Sequence, residues 1–386
     1  MLEKSIQKET LSYAQEIIRV NSPSWHEEGV AVLVKQKMLA LGYDSVRVDS
    51  FGYVIGIRTD KYPGPVVLFD GHMDVVPATN HDDWTCDLFS GVIKDGKIWG
   101  RGATDLKGPL AAMIMAVGHI PAEEFHGTLI VSASVGEEVY EGAGLALVLS
   151  EVSPDFVVIC EPNDCRIGIG QKGRAGLWIE VSGKPAHSSQ PHLGENAIYK
   201  SVEVIDRLRE MPLPNDDQLG KGIMELVDGI SSPFPSLATV PVSFRMRYDR
   251  RLMPGETVES VLGSIKSALK DLTDWQVVLS EVKINTYTGK TIEALDFHPG
   301  WIIESTSPWI KRAQAGLKES GIHAKFTTAH YCTNGSQSAG VENIPTIIFG
   351  PSSILLAHVI DEYIEISDLM KGVEGYLGLA RRLGAN

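Results

Sequence analysis

The motif GHMDVVP at residues 71–77 places a histidine and an aspartate two positions apart, directly after an apolar run at residues 65–69. Side chains alternate along an extended chain, so His72 and Asp74 face the same side. A carboxylate beside a histidine can accept one ring N–H and leave the other ring nitrogen free to bind a metal ion. A loop histidine that hydrogen-bonds a neighbouring aspartate gives the same short pattern, so the motif needs further ligands before it predicts a metal site.

Further candidate ligands follow other apolar runs or precede a helix. They are Glu137 and Glu138 after residues 128–135, Glu161 after residues 156–160, Asp105 ahead of a helix predicted at residues 110–118, and His358 after residues 353–357. Short apolar runs of this kind are typical of buried parallel strands. Ligands of open α/β sheets bind beyond the carboxyl ends of the strands, so we expect these side chains to meet at one sheet edge.

Five of these candidates together have the composition of a site for two divalent ions: His72, Asp105, Glu138, Glu161 and His358. Imidazole and carboxylate groups are ligands of Zn²⁺, and one carboxylate can bridge a pair of ions. Three carboxylates do not neutralise two such ions, which can therefore bind a water molecule and make it more acidic. Glu137 stands next to a predicted ligand and is placed to act as general base on that water.

The rest of the chain predicts the elements that hold these residues. Helical apolar spacing covers residues 2–20, 27–41 and 366–383, and further strands are predicted at residues 45–48, 53–57 and 346–349. Between residues 174 and 284 the predicted elements are a strand at residues 174–181, a helix at 195–208, strands at 223–230 and 240–247, a helix at 257–272 and a strand at 275–284. This is the order of a ferredoxin-like sandwich. We therefore predict an α/β protein whose mixed-sheet catalytic domain spans residues 1–171 and 286–386. An inserted α+β domain would occupy residues 172–285.

Composition and charge argue against several other functions. The 386 residues carry a formal net charge of −14, which disfavours nucleic acid or an anionic membrane as the main partner. No apolar run is long enough to span a bilayer, and residues 1–6 lack the apolar core of a signal peptide. The four cysteines form no CxxC pair, so we expect reduced thiols in a cytoplasmic protein.

Three motifs together carry a resemblance to a known family: GHMDVVP at residues 71–77, GRGATDLKG at residues 100–108, and the pair Glu137 and Glu138. With them the chain resembles, over essentially its whole length, the di-zinc amidohydrolase and peptidase family of acetylornithine deacetylase, succinyl-diaminopimelate desuccinylase, aminoacylase-1 and carboxypeptidase G. The resemblance implies a zinc-exopeptidase-like catalytic domain. It also implies that the inserted domain is a lid through which two chains form a homodimer.

The resemblance further implies a role for each candidate ligand. The two ions would be held by overlapping sets of residues: His72, Asp105 and Glu161 for one, and Asp105, Glu138 and His358 for the other. Zn²⁺ is the expected ion, with Co²⁺ or Mn²⁺ as alternatives. Asp74 would support His72, Glu137 would be the base, and the peptide bond after Asp105 would be cis.

In the inserted domain the resemblance points to two more residues. His187, in the segment SGKPAHSS, matches the lid histidine that in relatives reaches the partner subunit's site and donates a hydrogen bond to the oxyanion. Arg251, in the segment YDRRLMPG, matches the arginine that binds the substrate carboxylate through its planar fork. A departure lies nearby, because Ala238 stands where relatives often carry asparagine. It weakens the detailed inference about the oxyanion and the substrate contacts.

In the catalytic domain a loop that contacts the substrate backbone in relatives is matched by Thr333, Asn334 and Gly335. We therefore expect a metal-dependent hydrolase, of the deacetylase or dipeptidase type, that cleaves the amide bond of a small N-acyl amino acid or short peptide with a free carboxylate. Two alternatives stay open. The same activated water would serve a hydrolase of N-carbamoyl or ureido amino acids. A catalytically silent binding protein could share the fold, although such a protein is expected to lose a ligand or the base.

Overall fold

In the computed structural model, which describes residues 2–78 and 81–385, the chain forms two α/β units, one inserted into the other. The larger unit is built on a nine-stranded mixed sheet to which both ends of the chain contribute. Across the sheet the strands are Ser45–Val48, Val54–Thr59, Thr128–Ser134, Val66–His72, Phe156–Ile159, Thr346–Ile348, Ile167–Gln171 and Trp301–Ile302, with Phe326–Ala329 also paired to Ile167–Gln171. The mixed-sheet fold predicted from the sequence is confirmed.

The middle of this sheet is parallel and buried. Val66–His72 runs parallel to Thr128–Ser134 on one side and to Phe156–Ile159 on the other. Every residue of Phe156–Ile159 is buried, because parallel strands are covered on both faces, and this is why the sequence shows continuous apolar runs. The parallel register places His72 directly opposite Ser134, so the carboxyl ends of these strands meet at one edge.

Helices cover the large sheet, and those predicted at residues 2–20, 27–41, 110–118 and 366–383 are present within a few residues, whereas Ala143–Glu151 and Pro308–Glu319 were not predicted. In the larger unit they are Lys4–Ile18, Glu28–Ala40, Lys107–His119, Ala143–Glu151, Pro308–Glu319 and Ile366–Leu383. The helix Lys107–His119 is buried along nearly its whole length, between Lys4–Ile18 and Ile366–Leu383. None of the helices within residues 2–78 and 81–385 combines the length and the apolar character needed to cross a bilayer.

The inserted unit has its own antiparallel sheet and its own hydrophobic core. The strand order is Ile223–Ser232, Ser243–Leu252, Gly173–Ser182 and Trp275–Leu279, with Phe297–His298 also paired to Gly173–Ser182. Its two helices are Ala197–Glu210 and Val258–Ala268. Each begins after a capping side chain, because Asn196 accepts hydrogen bonds from Ile198 and Tyr199 N–H, and Thr257 forms a capping box.

Two strands of the inserted unit differ from the prediction for identifiable reasons. The strand predicted at residues 240–247 begins instead at Ser243, since Pro241 has no N–H to donate to a ladder. The strand predicted at residues 275–284 breaks at Ser280, because Gly176 N–H, which would continue the ladder, bonds to Asp296 O, and Ser280 O accepts the N–H of Asp296. Beyond the break the chain forms a separate hairpin, Glu281–Asn285 with Thr291–Leu295.

Shorter elements complete the fold. Val92–Lys94, Lys97–Trp99 and Tyr363–Glu365 form a three-stranded sheet, and Asn215–Asp216 pairs with Gly220–Lys221. In the first of these, Val92–Lys94 and Lys97–Trp99 form a hairpin in which Lys94 pairs with Lys97. All four cysteines are free, as the sequence predicts.

Candidate metal centre

The candidate ligands occupy the carboxyl edge of the parallel strands. His72 is the last residue of its strand, Glu137 and Glu138 follow Thr128–Ser134, and Glu161 follows Phe156–Ile159. Two loops complete the set, because Asp105 lies in the turn that precedes the buried helix and His358 lies after the short 3-10 helix Ile354–Leu356. The edge predicted from sequence therefore brings all five candidate ligands together.

Their side chains form two overlapping clusters. In the first, His72 Nε2 lies 3.2 Å from Asp105 Oδ1 and 3.9 Å from Glu161 Oε1. In the second, His358 Nε2 lies 3.3 Å from Asp105 Oδ2 and 3.0 Å from Glu138 Oε2. Within each cluster one ligand atom per residue lies within 4.8 Å of the others. Asp105 belongs to both clusters, and each of its oxygens faces one histidine.

The chemistry of these clusters fits divalent cations. Asp105, Glu137 and Glu161 are buried, and Glu138 turns its carboxylate inward. Burial, together with the charge of Glu161, raises the pKa of Glu137 well above its ordinary value, and burial with the charge of Asp105 does the same for Glu161. A group of carboxylates this close, shielded from water, needs positive charge among its members to remain ionised. Two divalent ions would supply that charge at the position where the ligand atoms converge.

Asp74 has a wider role than the sequence predicts. The ring nitrogen Nδ1 of His72 lies 3.0 Å from the backbone oxygen of Asp74 and 3.4 Å from its carboxylate. That carboxylate also accepts hydrogen bonds from the backbone N–H groups of Glu137 and Glu138, both at 3.1 Å, and from the Ser24 hydroxyl at 2.7 Å. Asp74 therefore orients His72 and holds the turn that presents Glu137.

Two buried glutamates that the sequence analysis missed brace the site through backbone groups. Glu362 Oε1 accepts the N–H groups of Thr104 and Asp105 at 2.9 and 3.0 Å, and its other oxygen accepts from Arg101 Nη1 at 2.6 Å. The peptide bond between Asp105 and Leu106 is cis, as the family resemblance implies. Glu362 thus holds the backbone of the residue shared by both clusters.

The second of these glutamates, Glu27, lies behind the base. Its Oε1 accepts the N–H groups of Trp25 at 2.8 Å and Gly136 at 2.9 Å. Gly136 has φ 69°, and a Cβ there would lie 1.9 Å from the Trp25 ring, so only glycine fits directly before Glu137. The short acidic segment around residue 27 carries no spacing pattern that would have revealed this contact.

A cleft of about 330 Å³ opens over the two clusters. Its walls include Glu137, Glu141, Tyr331 and Cys332 from the larger unit and Arg251 from the inserted unit. Arg251 Nε donates to Asp249 Oδ1 at 2.7 Å, and this contact holds the guanidinium. The predicted substrate-binding arginine therefore faces the same space as the predicted base.

The other predicted contacts lie elsewhere. Asn334 is buried, donates to Asp70 and Ser134 and accepts from Gly142 N–H, so every polar atom of its side chain is engaged. Thr333 is also buried, and its hydroxyl donates to Gln171 and accepts from Gly335 N–H. The residues of this segment that line the cleft are Tyr331 and Cys332, which precede the predicted loop.

His187 is exposed on the inserted unit and is not among the residues that line the cleft of its own chain. Its Nδ1 lies 2.8 Å from the Ser189 hydroxyl, and it forms a bridge to Thr239. Within the described residues, the geometry of a single chain therefore leaves His187 without a contact to the metal cleft.

Comparison with known proteins gives one consistent family. The sequence model of peptidase family M20/M25/M40 matches residues 68–382. The uncharacterized protein YgeY of Escherichia coli K12 is 32% identical over 373 residues, which cover 93% of this chain and 90% of YgeY. A probable succinyl-diaminopimelate desuccinylase of Staphylococcus epidermidis is 28% identical over 396 residues, covering 94% of each chain.

A solved structure shares the fold across nearly the whole chain. The M20 family metallo-carboxypeptidase Sso-CP2 of Sulfolobus solfataricus superposes with a TM-score of 0.78 at 16% identity, covering 97% of this chain and 99% of that one. At this level of identity the likeness concerns the fold, including the two-unit architecture described above.

Proposed function

The chain belongs to peptidase family M20/M25/M40, a family of metal-dependent hydrolases, and from this we propose that it cleaves the amide bond of a small N-acyl amino acid or short peptide with a free carboxylate. The observation that carries the proposal is the position of Asp105, whose two oxygens each approach one of two histidines. The Staphylococcus epidermidis relative is named for removal of a succinyl group, which supports an N-acyl substrate.

Two divalent ions would be held by the overlapping clusters: His72, Asp105 and Glu161, and Asp105, Glu138 and His358. We propose Zn²⁺, with Co²⁺ or Mn²⁺ as alternatives, because imidazole and carboxylate suit all three. When bound, such ions supply Lewis-acid polarisation of the scissile carbonyl and lower the pKa of a water molecule.

Glu137 is proposed as the general base. Its carboxylate is buried in the cleft, 3.9 Å from His72 Nε2, and its backbone is fixed by Asp74. A carboxylate held there can take a proton from the attacking water and return it to the leaving amine.

Substrate orientation is assigned to Arg251 and to the loop of Thr333, Asn334 and Gly335. Arg251 lines the cleft, and its fork can bind a carboxylate in a bidentate manner. The loop would act through its backbone, since the side chains of Thr333 and Asn334 are engaged in internal hydrogen bonds. This assignment places the free carboxylate of the substrate toward the inserted unit.

A homodimer formed by the inserted units would bring His187 to the partner's cleft, where its ring N–H would stabilise the oxyanion. Two features of the surface support this proposal. Ile223–Ser232 is an edge strand that pairs on one side with Ser243–Leu252. On the neighbouring helix Tyr199 is 76% exposed, which is unusual for an apolar ring on a monomer surface.

We place the protein in the cytoplasm. Its four cysteines are free, and three of them are buried. Proteins of oxidising compartments usually convert such cysteines to disulfides.

The test is an assay of the zinc-loaded protein against N-acyl amino acids, dipeptides and N-carbamoyl amino acids, with products identified by mass spectrometry. Glu137→Gln should abolish turnover, whereas Glu123→Gln, an exposed glutamate on a surface turn, should leave turnover unchanged. Release of ammonia and carbon dioxide from N-carbamoyl substrates alone would replace the amide assignment with the ureido alternative. Tight binding of one of these compounds, with no turnover of any of them, would indicate the catalytically silent binding protein.

A further inference from the structure

The two units are joined by a short antiparallel ribbon. Gln171 ends a strand of the large sheet and Gly173 begins the first strand of the inserted sheet. The segment that leads into the inserted unit, the outward crossing, therefore has a single residue between the two strands. The segment that leads back to the large sheet, the return crossing, runs beside it. In this segment His298 pairs with Arg174 and Trp301 pairs with Gln171. A ribbon this narrow can bend, so the angle between the units depends on the side chains that brace it.

Arg174 forms a charged contact across the joint. Its Nε lies 3.0 and 3.1 Å from the two oxygens of Glu141, and its Nη2 lies 2.7 Å from Glu141 Oε2. Glu141 belongs to the larger unit and stands four positions after Glu137. The fork of a lid-domain arginine is therefore fixed on the same loop that carries the proposed base.

The same guanidinium also binds the return crossing. Arg174 Nη2 lies 3.1 Å from Asp296 Oδ1, and His298 Nε2 lies 3.1 Å from the same oxygen. Asp296 is 1% exposed, and it reaches this position because Gly176 has no side chain, since a Cβ there would lie 2.0 Å from Asp296 Oδ2. Burial raises the pKa of Asp296, but His298 and Arg174 outweigh it and keep the pKa below its ordinary value.

The brace is linked to the substrate side of the cleft through strand pairing. Arg174 and Arg251 are direct partners in the antiparallel ladder, so their side chains project from the same face of the inserted sheet. Arg251 and Glu141 both line the metal cleft. Tilting the inserted sheet at the ribbon would therefore move Arg251 relative to the metal ligands.

We propose that Arg174 is a positioning residue that joins Glu141 of the catalytic unit to Asp296 of the return crossing and thereby holds Arg251 over the metal centre. This inference rests on the proposed function only in assigning Arg251 to the substrate carboxylate. The bracing of the joint is independent of any substrate. Arg174→Gln removes the guanidinium of this contact, and Asp296→Asn removes the negative charge of its partner. Neither substitution alters a residue of the cleft wall.

The direct test measures the distance between the units by pulsed electron paramagnetic resonance. Spin labels at Ser267→Cys and Gln314→Cys, both exposed and on different units, are placed in a Cys86→Ser background and diluted with unlabelled chains. Arg174→Gln and Asp296→Asn should broaden the distance distribution toward longer values. Arg245→Gln is the matched control. This exposed arginine lies on the strand of Arg251, and its contacts with Glu180, at 4.0 Å, and with the Trp178 ring, at 4.6 Å, both stay within the inserted unit.

Kinetics provide the second readout. If the variants leave about a tenth of the molecules closed, KM should rise about tenfold while kcat changes little, because apparent affinity scales with the competent fraction. Arg174→Lys keeps the charge and should fall between the wild type and Arg174→Gln. Unchanged distances in both Arg174→Gln and Asp296→Asn would overturn the proposal. Broadened distances in a protein that hydrolyses no amide would retain the brace and refute the proposed function instead.

Discussion

At the scale of single residues, Asp105 is the residue that both ligand clusters share, and its backbone is held by Glu362. The Glu362 carboxylate accepts two backbone N–H groups at Thr104 and Asp105 and is balanced by Arg101. Burial raises the pKa of Glu362, and the backbone bond from Asp105 and the charge of Arg101 oppose that rise. The residue that the two clusters share is thus positioned by a residue that belongs to neither cluster.

Glu362→Gln should destabilise the protein, because an amide nitrogen would face the Arg101 guanidinium and leave a buried charge without a partner. The Arg101 side chain is 4% exposed and the Glu362 side chain is 0% exposed. The expected loss is therefore about 3 kcal/mol of unfolding free energy. Glu319→Gln, which breaks the exposed pair with Arg382, should cost less than about 1 kcal/mol. Urea denaturation of the three proteins measures both values, and equal losses would contradict the role assigned to Glu362.

The sequence predicts ligands better than the residues that support them. His72, Glu137 and Glu161 could be found because each ends a continuous apolar run at one sheet edge. Glu362 and Glu27 accept hydrogen bonds from backbone N–H groups. Such a hydrogen bond leaves no recognisable pattern in the amino-acid sequence. Their roles therefore required the three-dimensional structure.

At the scale of elements, the segment from Ser22 to Glu27 acts as a buttress for the turn that carries Glu137. Two hydrogen bonds hold this segment along the strand of His72. Val75 N–H donates to Ser22 O, and the Ser22 hydroxyl donates to Met73 O. Glu27 then reaches across to Gly136 N–H. The other oxygen of Glu27 has no hydrogen-bond partner among the described residues, which fits a protonated acid.

This buttress predicts a pH dependence of stability. Burial and the charge of Asp74 raise the pKa of Glu27 from 4.5 to about 8. Between those values the folded state holds a proton that the unfolded state releases, so the contribution of Glu27 to stability falls as pH rises from about 4.5 to about 8. The stability difference between the wild type and Glu27→Gln should therefore shrink across that range.

Urea denaturation at several pH values between 5 and 9 checks this expectation. Glu28→Gln is the matched control, because Glu28 is exposed and adjacent in sequence. If the difference in unfolding free energy between the wild type and Glu27→Gln stays constant with pH, Glu27 is ionised in the folded state at every pH tested.

Element boundaries show where sequence patterns stop being sufficient. The buried strands and the amphipathic helices were predictable because their periods reflect burial directly. The break at Ser280 was not, since the Gly176 N–H that would continue the ladder bonds instead to the backbone oxygen of Asp296, which lies more than a hundred positions further along the chain. A continuous run of strand-forming residues carries no sign of such a contact.

At the scale of the whole molecule, the cleft needs both units, because Arg251 comes from the inserted one and the metal ligands come from the other. His187 is exposed and stands outside the cleft of its own chain. If it acts on the reaction, a second chain must supply it. The edge strand Ile223–Ser232 and the exposed ring of Tyr199 offer the surface for that assembly.

Complementation between two inactive variants tests this arrangement. A heterodimer of Glu137→Gln and His187→Ala chains, co-expressed with different tags and purified through both, contains one complete site if His187 acts in trans. It should then show about half of the wild-type activity, since one of the two sites of a symmetric dimer is restored. Activity no higher than the mean of the two homodimeric variants would place His187 in its own chain's site or outside the reaction.

The zinc content of the purified protein tests the central claim most directly. After zinc loading and dialysis, inductively coupled plasma mass spectrometry should find two ions per chain in the wild type and one in His358→Ala, which removes a ligand of only one cluster. His187→Ala should keep both ions. A wild type that holds fewer than two ions, or a His358→Ala variant that holds as many as the wild type, would contradict a site shared through Asp105.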